Sequence, residues 1–212
     1  AKEDLAADQT KTGWEYEGTQ YWIAGAQYNF NAVAPKTNGG WTKTAATKDA
    51  TTLSFTNNGT TDLLYAYAAA EGKAEGNDPV AFTFRHTLSK VKLSFENAYN
   101  ATNATIKVRD VKITDAYATG NVVLTDATAW STQDGKLELA FGNAVADDAT
   151  STDALAFAYN TTLESYNELF MIPGEGPTLD GEKHTYTVTF IVDLIVGNTV
   201  VKTYNHTIHA VF

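Results

Sequence analysis

Two histidines three positions apart, His206 and His209, are the first residues of this chain that invite a chemical reading, as a metal pair. On a strand, residues three apart point to opposite faces, and no carboxylate stands nearby in sequence, so the pair does not suit a shared ion. His86 falls on the apolar parity of its segment and reads as a hydrogen-bonded core histidine. The acidic pairs Glu3-Asp4 and Asp147-Asp148 lie in polar stretches. Glycoside hydrolysis would need two such groups at a fixed separation across a cleft; solvated loop charge is the simpler account. The Asp/Asn/Gly-rich loops lack the closing Glu of a calcium loop. No nucleophile elbow, phosphate-binding loop or dinucleotide fingerprint occurs. N-x-[ST] triplets at Asn58, Asn100, Asn103, Asn160 and Asn205 are expected by chance in a chain so rich in Asn and Thr. The residues therefore predict no catalytic centre, no metal and no cofactor, and a hydrolase is the least supported class.

One further cluster could bind. Trp14, Tyr16, Tyr21 and Trp22 would suit a sugar-stacking platform on a flat β surface. Large aromatics more often fill cores, and that is the favoured reading.

The chain that must position these groups has 212 residues, 43% hydrophobic and 12% aromatic. That is enough for a real core and argues against disorder. Thr, Val, Tyr and Phe are plentiful and turns carry Gly and Asn, a composition suited to an all-β sandwich. The net charge is −10 and Arg85 and Arg109 are the only arginines, which excludes the basic footprint of a nucleic-acid binder. It also disfavours attraction to anionic lipid; solubility accounts for the charge. There is no cysteine, hence no disulfide framework, thiolate zinc site or thiol nucleophile. No apolar run reaches the length of a membrane span, and no signal peptide opens the chain. The polar start Ala1-Lys2-Glu3-Asp4 fits a mature or trimmed beginning.

Periodicity supplies the elements. Tyr28, Phe30, Ala32 and Ala34 share one parity of a strand that Pro35 ends. Asn38-Gly39-Gly40 turns the chain, Leu53-Ser54-Phe55 is a short strand, and Asn57-Asn58-Gly59 turns it again. Leu63 to Ala70 suits a strand or a short helix. Val80, Phe82, Phe84, His86 and Leu88 form the apolar parity of a long strand. After Ser89 the parity shifts to Val91, Leu93 and Phe95, which predicts a bulge or a change of sheet. Ile106 to Ile113 is a strand with a slip at Arg109-Asp110. Val122 to Leu124 is short, and Trp130 closes a first core. Leu137, Leu139 and Phe141 mark another strand, and Ala144 to Asp153 a loop. Leu169 to Ile172 is a strand stopped by Pro173, and Gly174 to Gly181 is a long turn. Tyr186, Val188, Phe190, Val192 and Leu194 share a parity; Gly197-Asn198 is a hairpin turn, and Val200 to Phe212 returns. The expected domain cut lies near Trp130–Gly135, giving 1–130 and 131–212.

Three segments resemble a known family. They are Asp62-Leu63-Leu64-Tyr65-Ala66, then Phe84-Arg85-His86-Thr87-Leu88-Ser89-Lys90-Val91 running on to Leu93 and Phe95, and the spacing of Trp22, Gly25, Tyr28, Phe30, Ala32 and Pro35. With the strand before Pro173 they are similar to the fimbrillin-like family, the fimbria and pilus subunits of Bacteroides-type bacteria. The resemblance covers nearly the whole chain. It implies two tandem transthyretin-like β-sandwiches and favours a strand at Leu63 to Ala70.

It also implies a structural or adhesive, non-enzymatic subunit of surface fimbriae at the bacterial outer membrane. Its partners would be other fimbrial subunits and a host-surface glycan or protein. Membrane attachment would run only through a lipid anchor that this chain does not show. Such subunits lose an N-terminal segment to a trypsin-like protease, and a neighbour's strand fills the vacated groove. No Arg precedes Arg85, so the candidate cleavage sites are Lys2, Lys11, Lys36 and Lys43, the last two expected in the loop around Asn38-Gly39-Gly40. Compared with the family pattern, the chain stops about where further strands of the second sandwich would begin: either the sequence is a trimmed fragment, the favoured reading, or the second sandwich lacks its last strands and leaves a groove for another strand. Tyr204, His206, Ile208, Ala210 and Phe212 then form the candidate assembly edge. The alternative is an exported carbohydrate-binding module using the Trp14–Trp22 cluster.

Overall fold

A computed structural model describes residues 21–47, 50–73, 79–125, 129–147, 149–174 and 186–210. Every regular element among them is a strand. In chain order these are β1 (Gln27–Ala34), β2 (Trp41–Ala46), β3 (Thr51–Thr56), β4 (Leu64–Glu71), β5 (Arg85–His86), β6 (Ser89–Val91), β7 (Ser94–Glu96) and β8 (Ala104–Ala116). They continue with β9 (Thr119–Leu124), β10 (Ala129–Asp134), β11 (Leu137–Gly142), β12 (Ala144–Val145), β13 (Thr162–Ser165), β14 (Leu169–Met171), β15 (Tyr186–Val196) and β16 (Thr199–Ala210). The expected all-β class holds, and Leu64–Glu71 is a strand rather than a helix.

Compactness divides the chain into two units. The smaller contains the described residues 21–30, 68–73 and 79–81. In it Trp22 packs edge-on against Tyr28 at 4.9 Å and lies tilted to Phe30 at 5.6 Å. Gly25 N–H donates to Gly72 O (2.8 Å) and Gly72 N–H to Ala26 O (2.9 Å). A Cβ on Gly72 would meet Ile23 O at 2.2 Å, so this approach requires glycine.

The larger unit spans 31–67 and 82–212 and contains two hydrophobic cores. Around the first, the sheet runs β10-β9-β3-β2. Period-2 alternation sends Leu53 and Phe55 of β3, and Val122 and Leu124 of β9, inward with Leu63, Tyr65, Leu88 and Ile172. Trp130 lies edge-on to Phe55 at 5.9 Å, and its indole N–H donates to Thr87 O (2.9 Å). It seals this core as the sequence suggested.

The second core lies between a four-stranded sheet, β11-β8-β15-β16, and a three-stranded one, β12-β13-β7. Val108, Val111 and Ile113 of β8 all point into it. Positions 108 and 111 share a face because Asp110, at φ 53°, inserts an extra residue, and the register to β15 shifts there. This is the slip expected at Arg109-Asp110.

The shift of parity at Leu88–Lys90 also has a structural cause: Leu88 is buried in the first core, whereas Val91, Leu93 and Phe95 pack on the second. Strand β14 pairs with β6 at this joint, Leu169 and Met171 serving the second core and Phe170 the first. Strand pairing also crosses position 130, because β8 is hydrogen-bonded between β11 and β15.

One expected element is corrected. The apolar parity from Val80 to Leu88 is not a buried strand. Only Arg85 and His86 pair with β4, and Phe82 and Phe84 are 37% and 44% exposed. Alternation specifies a two-faced segment, but burial requires a layer to cover it, and none does so among the described residues. His86 is accordingly not a core histidine: it is exposed, and its Nδ1 lies 2.5 Å from Asp62 Oδ2.

Candidate assembly edge

The β15–β16 hairpin is built by its turn and its pattern. Gly197 sits at φ 62°, which glycine adopts freely, and Val196 pairs with Thr199 across it, as expected of Gly197-Asn198. From there β16 runs antiparallel to β15 for twelve residues. Two carboxylates anchor the hairpin to β8. Asp115 accepts from Thr187 N–H (2.8 Å) and Thr187 Oγ1–H (2.7 Å). Asp193, buried in the middle of β15, accepts from Arg109 Nε–H (2.7 Å) and from Thr203 Oγ1–H of β16 (2.6 Å). The Arg109 guanidinium, then the Thr203 hydroxyl, hold the Asp193 carboxyl below its ordinary range, and the same contact holds Arg109 above its own.

β16 is the last strand of its sheet and has β15 as its one strand neighbour among the described residues. Its register sets Tyr204 opposite Val192, His206 opposite Phe190, Ile208 opposite Val188 and Ala210 opposite Tyr186. Those partners form the inner face of β15, so the second core's apolar surface continues onto β16. Burial falls away along this direction. Phe95 of β7 packs edge-on against half-buried Phe190 at 5.3 Å, and the His206 ring stacks on Phe190 at 5.1 Å. Beyond that, Tyr204 is 40% and Ile208 47% exposed. Only Ala210 is partly buried against the core. Opposite, β7 has β13 as its one strand neighbour among the described residues. Among the described residues the second sandwich is thus open along one side, with an inner apolar face and two strand edges without a strand neighbour there.

This geometry suits β-strand addition. A free edge offers a row of N–H and C=O groups, and proteins ordinarily blunt long edges with charge, proline or bulges. β16 is long, contains no proline, and has Lys202 as its one lysine. A register shift at Leu194/Ile195 irregularises only its turn end.

A family model described as fimbrillin-like matches residues 2–210. The chain belongs to the fimbrillin-like family. A crystal structure of a fimbrial protein from Bacteroides vulgatus shares its fold at TM-score 0.57 and 17% identity, over 84% of this chain and 65% of that one. The chain therefore spans 65% of the length of that structure. No curated protein matches it.

In this fimbrillin-like chain the residues singled out from sequence fall as follows. Tyr204, His206, Ile208 and Ala210 share the open inner face; Phe212 lies outside the described residues. His209 is on the opposite face from His206, with Nδ1 3.5 Å from Thr187 Oγ1, so the two histidines are not brought together. Lys36 is exposed in the β1–β2 loop, which Trp41 clips by donating from its indole N–H to Pro35 O (2.8 Å). Lys43 is not in that loop. It lies within β2 opposite Leu53, because the Asn38-Gly39-Gly40 turn is tight enough for the strand to begin at Trp41.

Lys2, Lys11, Trp14 and Tyr16 lie outside the described residues. Of the other two aromatics in that cluster, Tyr21 is 84% exposed and Trp22 is half-buried. Asp147 pairs with Lys92 at 3.3 Å as a surface charge. Sequence reasoning missed the Arg109–Asp193–Thr203 clamp; a lone Asp in the run Phe190-Ile191-Val192-Asp193-Leu194 was its available signal.

Proposed function

We propose that this protein is a structural or adhesive subunit of bacterial surface fimbriae and joins its neighbours by β-strand addition. The observation that supports this most directly is the twelve-residue edge strand β16, whose inner side chains extend a core they do not close. Ladder hydrogen bonds to a neighbour's strand would give affinity, and the alternating positions Tyr204, His206 and Ile208 would give register. Each large apolar group buried in such a joint contributes roughly 1.5–3 kcal/mol, so a few suffice for a durable contact. An open-ended filament needs two different surfaces per subunit. The exposed stretch with Phe82 and Phe84, which has no strand partner among the described residues, would be the second one.

In this reading the protein is non-enzymatic and resides at the outer surface. It is trimmed near its N-terminus, with Lys2, Lys11, Lys36 and Lys43 as candidate sites and Lys36 favoured by its exposure in a loop. The two-domain organisation, with its expected cut near Trp130–Gly135, remains a proposal; the chain passes between the two cores more than once, first at Leu88–Val91. The test is limited trypsin digestion of the full-length precursor, followed by electrophoresis in SDS without boiling. Release of an N-terminal peptide together with a ladder of multimers is the expected outcome. A trimmed species that stays monomeric would remove self-polymerisation.

A further inference from the structure

The histidines among the described residues stand in different surroundings. His86 is exposed beside the Asp62 carboxylate, and His209 lies on the outer face of β16 near the Thr187 hydroxyl. His206 lies on the inner face, in register with Phe190 of β15 and between Tyr204 and Ile208 of its own strand. Its ring is nearly parallel to that of Phe190, at 15° and 5.1 Å, and its centroid is 6.3 Å from that of Tyr204. The face is otherwise apolar or aromatic at these positions, yet imidazole is the side chain that ordinarily changes charge between pH 5 and 8.

The groups packed around His206 leave a charge there unbalanced. From β15, Phe190 and the flanking Val188 and Val192 are apolar. Tyr186, farther along the same face, has its hydroxyl pushed up to about 12, first by burial, and stays neutral. From β7, Phe95 reaches Phe190. On β16 itself the charged group of this face is Lys202, whose Nζ sits 4.8 Å from the centroid of the Tyr204 ring. Its long stem carries the ammonium to the rim, whereas a short imidazole cannot leave the face. The carboxylates that anchor the hairpin are engaged elsewhere, Asp115 with Thr187, and Asp193 with Arg109 and Thr203.

We infer that protonation of His206 controls the joint: the neutral imidazole admits a neighbour's strand and the imidazolium opposes it. This rests on the strand-addition reading and adds its regulation. Two effects share one sign. In the free subunit the ring is exposed, so a positive charge on it keeps its water and is attracted by the Phe190 face. In the joint an added strand would cover the row Tyr204, His206 and Ile208, and the charged form would lose that water with no anion among the described residues to replace it. The joint therefore binds fewer protons than the free subunits. By linkage, association is complete in neutral and alkaline solution and is lost as pH falls through the histidine range.

The full-length chain should be digested with trypsin at about pH 8 and about pH 5.5, which bracket that range. Enzyme is raised in acid until N-terminal cleavage matches, and multimers are read by electrophoresis in SDS without boiling. Wild type is expected to ladder roughly tenfold less in acid, and to recover when the trimmed sample is returned to the higher pH. His206→Gln should ladder equally at both, as should His206→Phe, which serves if the first variant does not fold. His209→Gln, changed on the outer face, should keep the wild-type pH dependence. Equal laddering of wild type at both pH values, an acid loss that persists in both H206Q and H206F, or one abolished by H209Q would overturn the inference and leave strand addition standing. Folded, trimmed wild type that forms no multimers at either pH would remove the strand-addition reading and this inference with it.

Discussion

The two cores of the larger unit are built from similar residues and finished differently. The first is closed: Phe55, Leu63, Val122 and Leu124 are fully buried, and Trp130 covers them while donating to Thr87 O. The second is as well packed at its centre, where Val111, Ile113 and Phe141 are fully buried, yet its inner face continues outward to exposed Tyr204 and Ile208. The same period-2 alternation operates in both. What differs, among the described residues, is whether an opposing layer lies over the last strand. An alternating strand without that layer leaves its apolar side chains in water, and in the proposed reading the inner face of β16 is where a neighbour's strand would add.

The contrast can be broken or sharpened by substitution. Phe55→Ala removes a fully buried ring from the closed core and should cost about 3–5 kcal/mol in urea unfolding. The fraction of folded protein able to form multimers should be unchanged. Loss of laddering by molecules that remain folded would show that the closed core also takes part in assembly.

Asp193→Asn weakens the clamp holding β16. Arg109 is partly in water, so the expected loss is about 1–2 kcal/mol rather than that of a fully buried pair. The variant should also change pH dependence. The Asp193 carboxyl is depressed in the folded protein, so its stabilisation is complete above its unfolded pKa of about 3.9 and is lost as pH falls through the lower folded value. Wild type should therefore lose more stability than D193N below about pH 4. Parallel curves in acid would remove the clamp from the account.

Trp130→Phe keeps most of the ring and forfeits the hydrogen bond to Thr87 O, for about 1 kcal/mol of stability. A loss several times larger would mean that the indole's shape, not its N–H, closes the first core.

Ile208→Lys, alone or with Tyr204→Lys, should alter monomer stability least, by roughly 0.5 kcal/mol or less, because both side chains already meet water. The same variants should abolish SDS-resistant multimers. Retained laddering would remove the inner face of β16 as the joint.

Much of this architecture was legible in the chain. The strand before Pro35, the Gly197-Asn198 hairpin, the bulge at Arg109-Asp110 and the closing role of Trp130 all follow from local rules: period-2 alternation, fixed φ at proline, positive φ at glycine. The shift of parity at Leu88–Lys90 told correctly that the chain changes surroundings, because a strand cannot serve two cores without turning its face. The exposure of Phe82, Phe84 and His86 was not legible. Nor was the position of Lys43, whose strand begins sooner than a Gly-rich turn suggests.

The sequence by itself determined the elements: an all-β chain of short alternating strands, without cysteine, acidic, and bearing the family's signatures. Only the tertiary structure decided which alternating faces are covered. Alternation is a property of one strand, whereas burial depends on residues far away in sequence, such as Phe95 reaching Phe190, or Asp193 reaching Arg109 and Thr203. That dependence is why Phe55 and Ile208, both apolar and both on inward parities, end up in opposite surroundings.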